Sequence, residues 1–235
     1  MTWNEVFRNT FKELRERISP EVRKQVDLML PSWPMVDACR ADSLDAFQPF
    51  IAAGKLSVED IHQACDRYHL GQTKTGTPIY WMIDDMNTPL DAHIGDRWIS
   101  TLLKQREPLI ANWHVQHCLF GLHLLAHAES PAAIVESEAS AIVLSALFPE
   151  TIWLAYATTS HLSPDLFAPL EGHIVTIYPR TDPTLSNYLF FQDLVSLTLQ
   201  RYDLDITVSP LLEDNATADQ KARCIDLLDY LKESL

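Results

Sequence analysis

The second half of the chain alternates two periodicities, and this constrains its fold more than any other feature. Four short β-prone runs, AAIV (132–135), TIWLAY (151–156), HIVTIY (173–178) and LDITVS (204–209), are separated by helical or loop stretches. Short apolar runs of this kind read as strands buried on both faces. Strands divided by crossovers cannot close as tight hairpins, so they pair in parallel with helices laid on the sheet. SEASAIVLSALF, after the first run, is a helix rich in small residues that can pack close to a sheet. Residues 184–201 place Tyr188, Phe191, Val195 and Leu199 on one stripe. Thr217 with Gln220 reads as a capping box before a last helix that turns Ile225, Leu228 and Leu231 inward. The expected fold over 131–235 is therefore α/β, with a parallel sheet of about four strands.

Two other regions precede it. Residues 1–70 read as a helical N-terminal segment, with two helices in 2–30 broken at Ser19-Pro20. Two more, near 43–53 and 57–68, are started by Ser43 and Ser57, the latter with Asp60 three residues on as a capping-box analogue. Residues 71–130 read as an α+β connector. PIYWMID and the alternating Leu90, Ala92, Ile94 against Asp91, His93 form a hairpin around DMN, and RWISTLLKQ follows as a short helix.

With 235 residues, 47% of them apolar, the chain is long enough to bury a substantial core. No apolar run approaches membrane-spanning length, and MTWNEVFRNTFKELRER lacks the apolar centre of a signal peptide. Cys39, Cys65, Cys118 and Cys224 form no CxxC pair. A reducing, cytoplasmic setting is expected, with no membrane partner. The net charge of −14 is uneven: 13 Lys+Arg face 16 Asp+Glu up to residue 107, against 5 and 16 beyond it. Nucleic acid demands cationic surface, so any such contact belongs to the first half, with Arg15, Arg17, Arg23 and Lys24 as candidates. The alternative for these residues is a solvated helix face interleaved with Glu13 and Glu16.

Chemistry concentrates at two strand ends. Glu136 and Glu138 follow Val135, and Asp182 follows Tyr178. If the first and third strands are neighbours, these carboxylates converge where open parallel sheets bind ligands. Mg²⁺ takes one or two carboxylates, water and substrate phosphates, and a glutamate beside it can act as general acid or base. The alternative is structural, since acidic residues at strand-to-helix junctions complement helix N-termini. His123 and His127 have helical metal-ligand spacing but no evident third ligand, and Trp81, Trp98, Trp113 and Trp153 serve either base stacking or packing. No GxSxG, Walker A or HExxH motif occurs.

The order of these segments resembles the Toprim-type core of bacterial primases over roughly residues 66–210. It runs PIYWMIDDMNTPLDA, CLFGLHLL, AAIVESEASAIVLSAL, WLAYATT and IVTIYPRTDP. It is similar, more closely, to Toprim-containing proteins of Bacteroidetes associated with conjugative or mobilisable elements, through WISTLLKQREPLIANWHVQHCLFGLHLL and LLEDNATADQKARCIDLLDYL. The resemblance implies a Toprim-like Rossmannoid sheet and metal-dependent phosphoryl or nucleotidyl transfer. It makes Glu136 the catalytic glutamate, Asp182 the metal ligand and Mg²⁺ the cofactor; Glu138 is a further metal-side candidate from its place after the first strand. The implied partners are DNA or replication and mobilisation proteins. Arg180 departs from the pattern, standing where the first aspartate of an Asp-x-Asp belongs. A guanidinium stays protonated and cannot ligate Mg²⁺. The expectation is an Arg180–Glu136 or Arg180–Glu138 ion pair in a degenerate site, on a primase-related, nucleic-acid-handling accessory protein. The other readings are a non-enzymatic interaction module on the same scaffold and an active Mg²⁺-dependent transferase or nuclease.

Overall fold

A computed structural model describes residues 31–106, 117–126 and 130–235. The four β-prone runs become β5 (Ala132–Val135), β6 (Ile152–Ala155), β7 (Ile174–Ile177) and β8 (Asp205–Val208). They form one parallel sheet in the order β6-β5-β7-β8. Helix α5 (Glu138–Leu147) follows β5, and α6 (Ser186–Leu199) links β7 to β8. Short helices α7 (Leu211–Asn215), α8 (Ala218–Ala222) and α9 (Leu227–Lys232) close the chain.

All four side chains of β5 are buried because both faces of the sheet are covered. Ala133, Val135, Trp153 and Ala155 face one core, with Ala141 to Leu144 of α5. Ala132, Ile134, Leu154, Val175, Ile177 and Ile206 face the other, with Phe191, Leu194 and Val195 of α6. The first core also takes Phe47, Phe50, Ile61 and Cys65 from α2 (Gln48–Ala52), the turn before it, and α3 (Val58–Arg67). Helix α3 starts at the reciprocal Ser57–Asp60 capping box, whereas Ser43 caps nothing and the next helical turn begins at Asp45. The Thr217–Gln220 box opens α8, but the chain then bends at Cys224 (φ 52°), so the last helix is two short pieces.

The hairpin is larger than expected. β2 (Pro78–Ile83) and β3 (Pro89–Ile94) are flanked by β1 (Gly71–Gln72) and β4 (Arg97–Trp98) in a four-stranded antiparallel sheet. Arg97 and Trp98, expected as helix, form β4 instead, and the helix that follows is α4 (Ile99–Arg106). Cross-strand pairing with His93 and Ile94 captures those two residues before the helix begins. One face of this sheet packs on Val36 of α1 (Trp33–Ala38) through Ile79, Trp81, Ile83 and Ala92. Met82 and Tyr80, on the opposite face, join the core around α5. The Asp91/His93 side, which alternation reads as the polar face, is therefore a buried seam between the two sheets.

Phe120 and Gly121 join the layers. Phe120 exchanges two backbone hydrogen bonds with Ala155 on the edge of β6 and stacks on Tyr68 at 5.2 Å. Gly121 has φ 82°, and a Cβ there would lie 2.9 Å from Tyr68 and 3.0 Å from the Trp153 carbonyl. Both the left-handed backbone and the missing volume require glycine. Gly121→Ala is expected to cost about 2 kcal/mol or more, since strain and steric overlap add. Urea denaturation checks this, and an unchanged midpoint would refute it.

Among the described residues no helix is long and apolar enough to cross a membrane. All four cysteines are free thiols. Residues 2–30, with Arg15, Arg17, Arg23 and Lys24, lie outside the described residues, as do Trp113, His114 and His127.

Candidate functional site: an ion pair at the switch point of the parallel sheet

Strand β5 leads through α5 to β6 on one side, and β7 leads through α6 to β8 on the other. The crevice between the carboxyl ends of β5 and β7 is thus the topological switch point, the usual ligand position in open α/β sheets. β5 and β7 are paired, with Ile134 opposite Ile177, so the residues that follow them meet. Backbone hydrogen bonds tie these ends together: Tyr178 N donates to Ile134 O, and Ala157 N, beyond β6, donates to Glu136 O. Ala157 takes a left-handed conformation (φ 58°), which is costly without glycine.

Arg180 meets Glu136 here, with Nε 2.8 Å from Oε2. The contact is one of charge more than of a directed hydrogen bond, because Oε2 is shielded from solvent and accepts no aligned donor. Glu136 is three-quarters buried, whereas the Arg180 side chain is 44% exposed. Burial raises the Glu136 pKa, Arg180 pulls it down, and Asp226 and Glu138 add repulsion. The buried Tyr156 hydroxyl lies beside the same carboxylate, and its own pKa is pushed up by burial and then by Glu136.

Asp182 does something else. Oδ1 accepts hydrogen bonds from Thr184 N (2.8 Å), Thr184 Oγ1 (2.6 Å) and Ser186 N (3.2 Å), and Oδ2 accepts from Asn187 N (2.8 Å). Ser186 N and Asn187 N are orphan donors of the first turn of α6 and Thr184 lies in the turn before it, so Asp182 caps that helix from three residues ahead of Leu185, its N-cap position. Burial alone would raise its pKa, but the donors from Asn187, Thr184 and Ser186 hold it well below the usual carboxylate range.

Glu138, the first residue of α5 and 5% exposed, turns toward the antiparallel sheet. Its Oε1 lies 2.8 Å from His93 Nδ1. The His93 ring stacks on Trp98, which also packs against His117 at 4.2 Å. Asp91, fully buried beneath them, accepts from Ser100 N and Ser100 Oγ. The hydrogen bond to Glu138 raises the His93 pKa above its ordinary value, burial opposes this, and the charges of Glu138, Asp96 and Asp91 add to the rise. A histidine pKa raised by folding contributes stability that is complete below its unfolded value near 6.5 and is lost as pH rises through the folded value. Glu138→Gln is therefore expected to return the NMR-titrated His93 pKa toward 6.5 and to flatten the loss of stability on the alkaline side. An unmoved titration would refute this.

Asp226, which caps α9, adds one more carboxylate: it accepts from Ser140 Oγ at 2.6 Å and from Asp229 N at 2.8 Å. Tyr156, His93 and Asp226 carried no sequence motif. The alternation of β3 set His93 and Asp91 on one face of the hairpin but gave neither a role. His123 gives its Nε2 to the Arg67 carbonyl, and burial pushes its pKa down to about 4. Trp81 and Trp153 are packed in the cores.

The donor set as it stands does not fit Mg²⁺. Glu136 Oε2 faces a guanidinium, the Asp182 oxygens are taken by α6, and Glu138 is held by His93. Among the described residues no three His, Cys, Asp or Glu side chains form a group that could hold a metal ion.

These features define an α/β protein with a doubly covered parallel sheet and an arginine–glutamate pair at its switch point. A family described as a domain of unknown function, DUF6371, matches residues 46–181, more than half of the sequence, and the chain belongs to that family. No curated protein matches the chain.

Proposed function

We propose that the protein is a primase-related, nucleic-acid-handling accessory protein of a mobile element, on a Toprim-like scaffold that has lost metal-dependent catalysis. The Arg180–Glu136 pair carries this reading, because it occupies the strand ends where a divalent cation would need free carboxylates. The capping of α6 by Asp182 supports it from the second strand end. Mg²⁺-supported primer-synthesis and cleavage assays are expected to give no turnover above that of Glu136→Gln, alongside DNA binding that weakens steeply with salt. Turnover abolished by Glu136→Gln would instead establish an active Mg²⁺-dependent transferase or nuclease.

A second reading, a non-enzymatic protein-interaction module on the same scaffold, draws on two observations. The chain beyond residue 107 carries a net −11, which repels DNA. Helix α6 exposes Leu189, Phe190 and Leu197 around Asp193. Absence of DNA binding even at low salt favours this second reading over the first.

A further inference from the structure

The polar groups at the switch point are not mutually satisfied. Glu136 Oε2 is sealed from solvent and accepts no hydrogen bond, and Thr181 Oγ1, in a fully buried residue next to Arg180, has no partner either. Arg180 touches Glu136 through Nε, while Nη1 and Nη2 make no hydrogen bond to any described residue, on a side chain 44% exposed. Buried polar atoms are almost always paired, so a half-used guanidinium whose neighbour in sequence carries an unpaired buried hydroxyl calls for a ligand. The neighbouring carboxylates are already engaged: Glu138 by His93, Asp182 by the first turn of α6, and Asp226 by Ser140 and Asp229.

We infer that Arg180, oriented by Glu136, binds a terminal phosphate directly, in place of a metal ion. The unused Nη pair matches phosphate oxygens as a planar fork, and this geometry favours arginine over lysine. The ligand class is a phosphate monoester, either a 5′-phosphorylated nucleic-acid end or a free mononucleotide. The nucleic-acid form rests on the proposed function; the phosphate site itself does not.

The test uses the full chain in EDTA at low salt. Single-stranded oligodeoxynucleotides of one sequence, with a 5′-phosphate or a 5′-hydroxyl, are compared by fluorescence anisotropy, with a deoxynucleoside 5′-monophosphate and inorganic phosphate titrated separately. The 5′-phosphorylated strand is expected to bind about tenfold tighter, the scale of one charge-assisted contact. Arg180→Gln should abolish that difference and Arg180→Lys should retain only part of it, which keeps the test valid if the glutamine variant melts early. Equal binding of both strands, or a preference that survives Arg180→Gln, overturns the inference and leaves the nucleic-acid reading standing. Arg180-dependent binding of the monophosphate with no binding of either strand upholds the phosphate site and overturns the nucleic-acid reading.

Discussion

Arg180→Asp is expected to turn the strand ends into a cation site. Calorimetry with Mn²⁺ should give a one-to-one isotherm at least about tenfold tighter than any seen with the native chain. The substitution removes the charge that Glu136 Oε2 faces and puts a second carboxylate beside a group whose pKa burial already raises. Two close carboxylates cannot both ionise without a cation, so the variant should also melt earlier than the native protein in EDTA. Mn²⁺ at a hundredfold excess over its Kd would restore about 2.7 kcal/mol. Unchanged Mn²⁺ affinity would mean that the pair does not stand in for a metal. Tight stoichiometric binding by the native chain, lost in Asp182→Ala, would refute the proposed loss of catalysis at its root.

Asp182→Ala should be among the most destabilising single changes in the parallel-sheet unit, at about 2 kcal/mol or slightly more. The change strands the Ser186 and Asn187 N–H groups in the first turn of α6, the longest helix described, and the N–H and hydroxyl of Thr184 just before it, where Asp182 itself is 6% exposed. For a chain of this size that corresponds to a fall in Tm of roughly 4–8 °C. The pH dependence separates this cap from a simple packing loss. The folded Asp182 carboxyl is depressed, so its contribution is complete above the unfolded value near 3.9 and is lost as pH falls toward the folded value. Native and variant stabilities should therefore converge in strong acid. A gap that persists there would assign the effect to packing, and unchanged stability at neutral pH would refute the cap.

The inner strand β5 of the parallel sheet was legible as a continuous apolar run buried on both faces, and the others as β-prone runs, although β7 and β8 also expose Ile174, Asp205 and Thr207. Ser57–Asp60 and Thr217–Gln220 were legible because a capping box is local chemistry. The two outer strands of the antiparallel sheet were not. Gly71–Gln72 and Arg97–Trp98 are two residues long, and only pairing with β2 and β3 makes them strands. The burial of Asp91 was also beyond reach, since alternation reports which residues share a face but not whether that face meets water.

The same division runs through the candidate site. The sequence by itself determined that carboxylates and an arginine lie just beyond β5 and β7, because strand ends follow from the apolar runs that precede them. It also determined that Arg180 cannot be a metal ligand, because a guanidinium stays charged. Only the tertiary structure decided that β5 and β7 are neighbours, and so which acid Arg180 meets. It gave Glu136 to Arg180, Glu138 to His93 and Asp182 to the first turn of α6. The physical reason is that a carboxylate pairs with whichever donors the packing brings within about 3 Å, and strand order and helix placement set those donors rather than the spacing of residues along the chain.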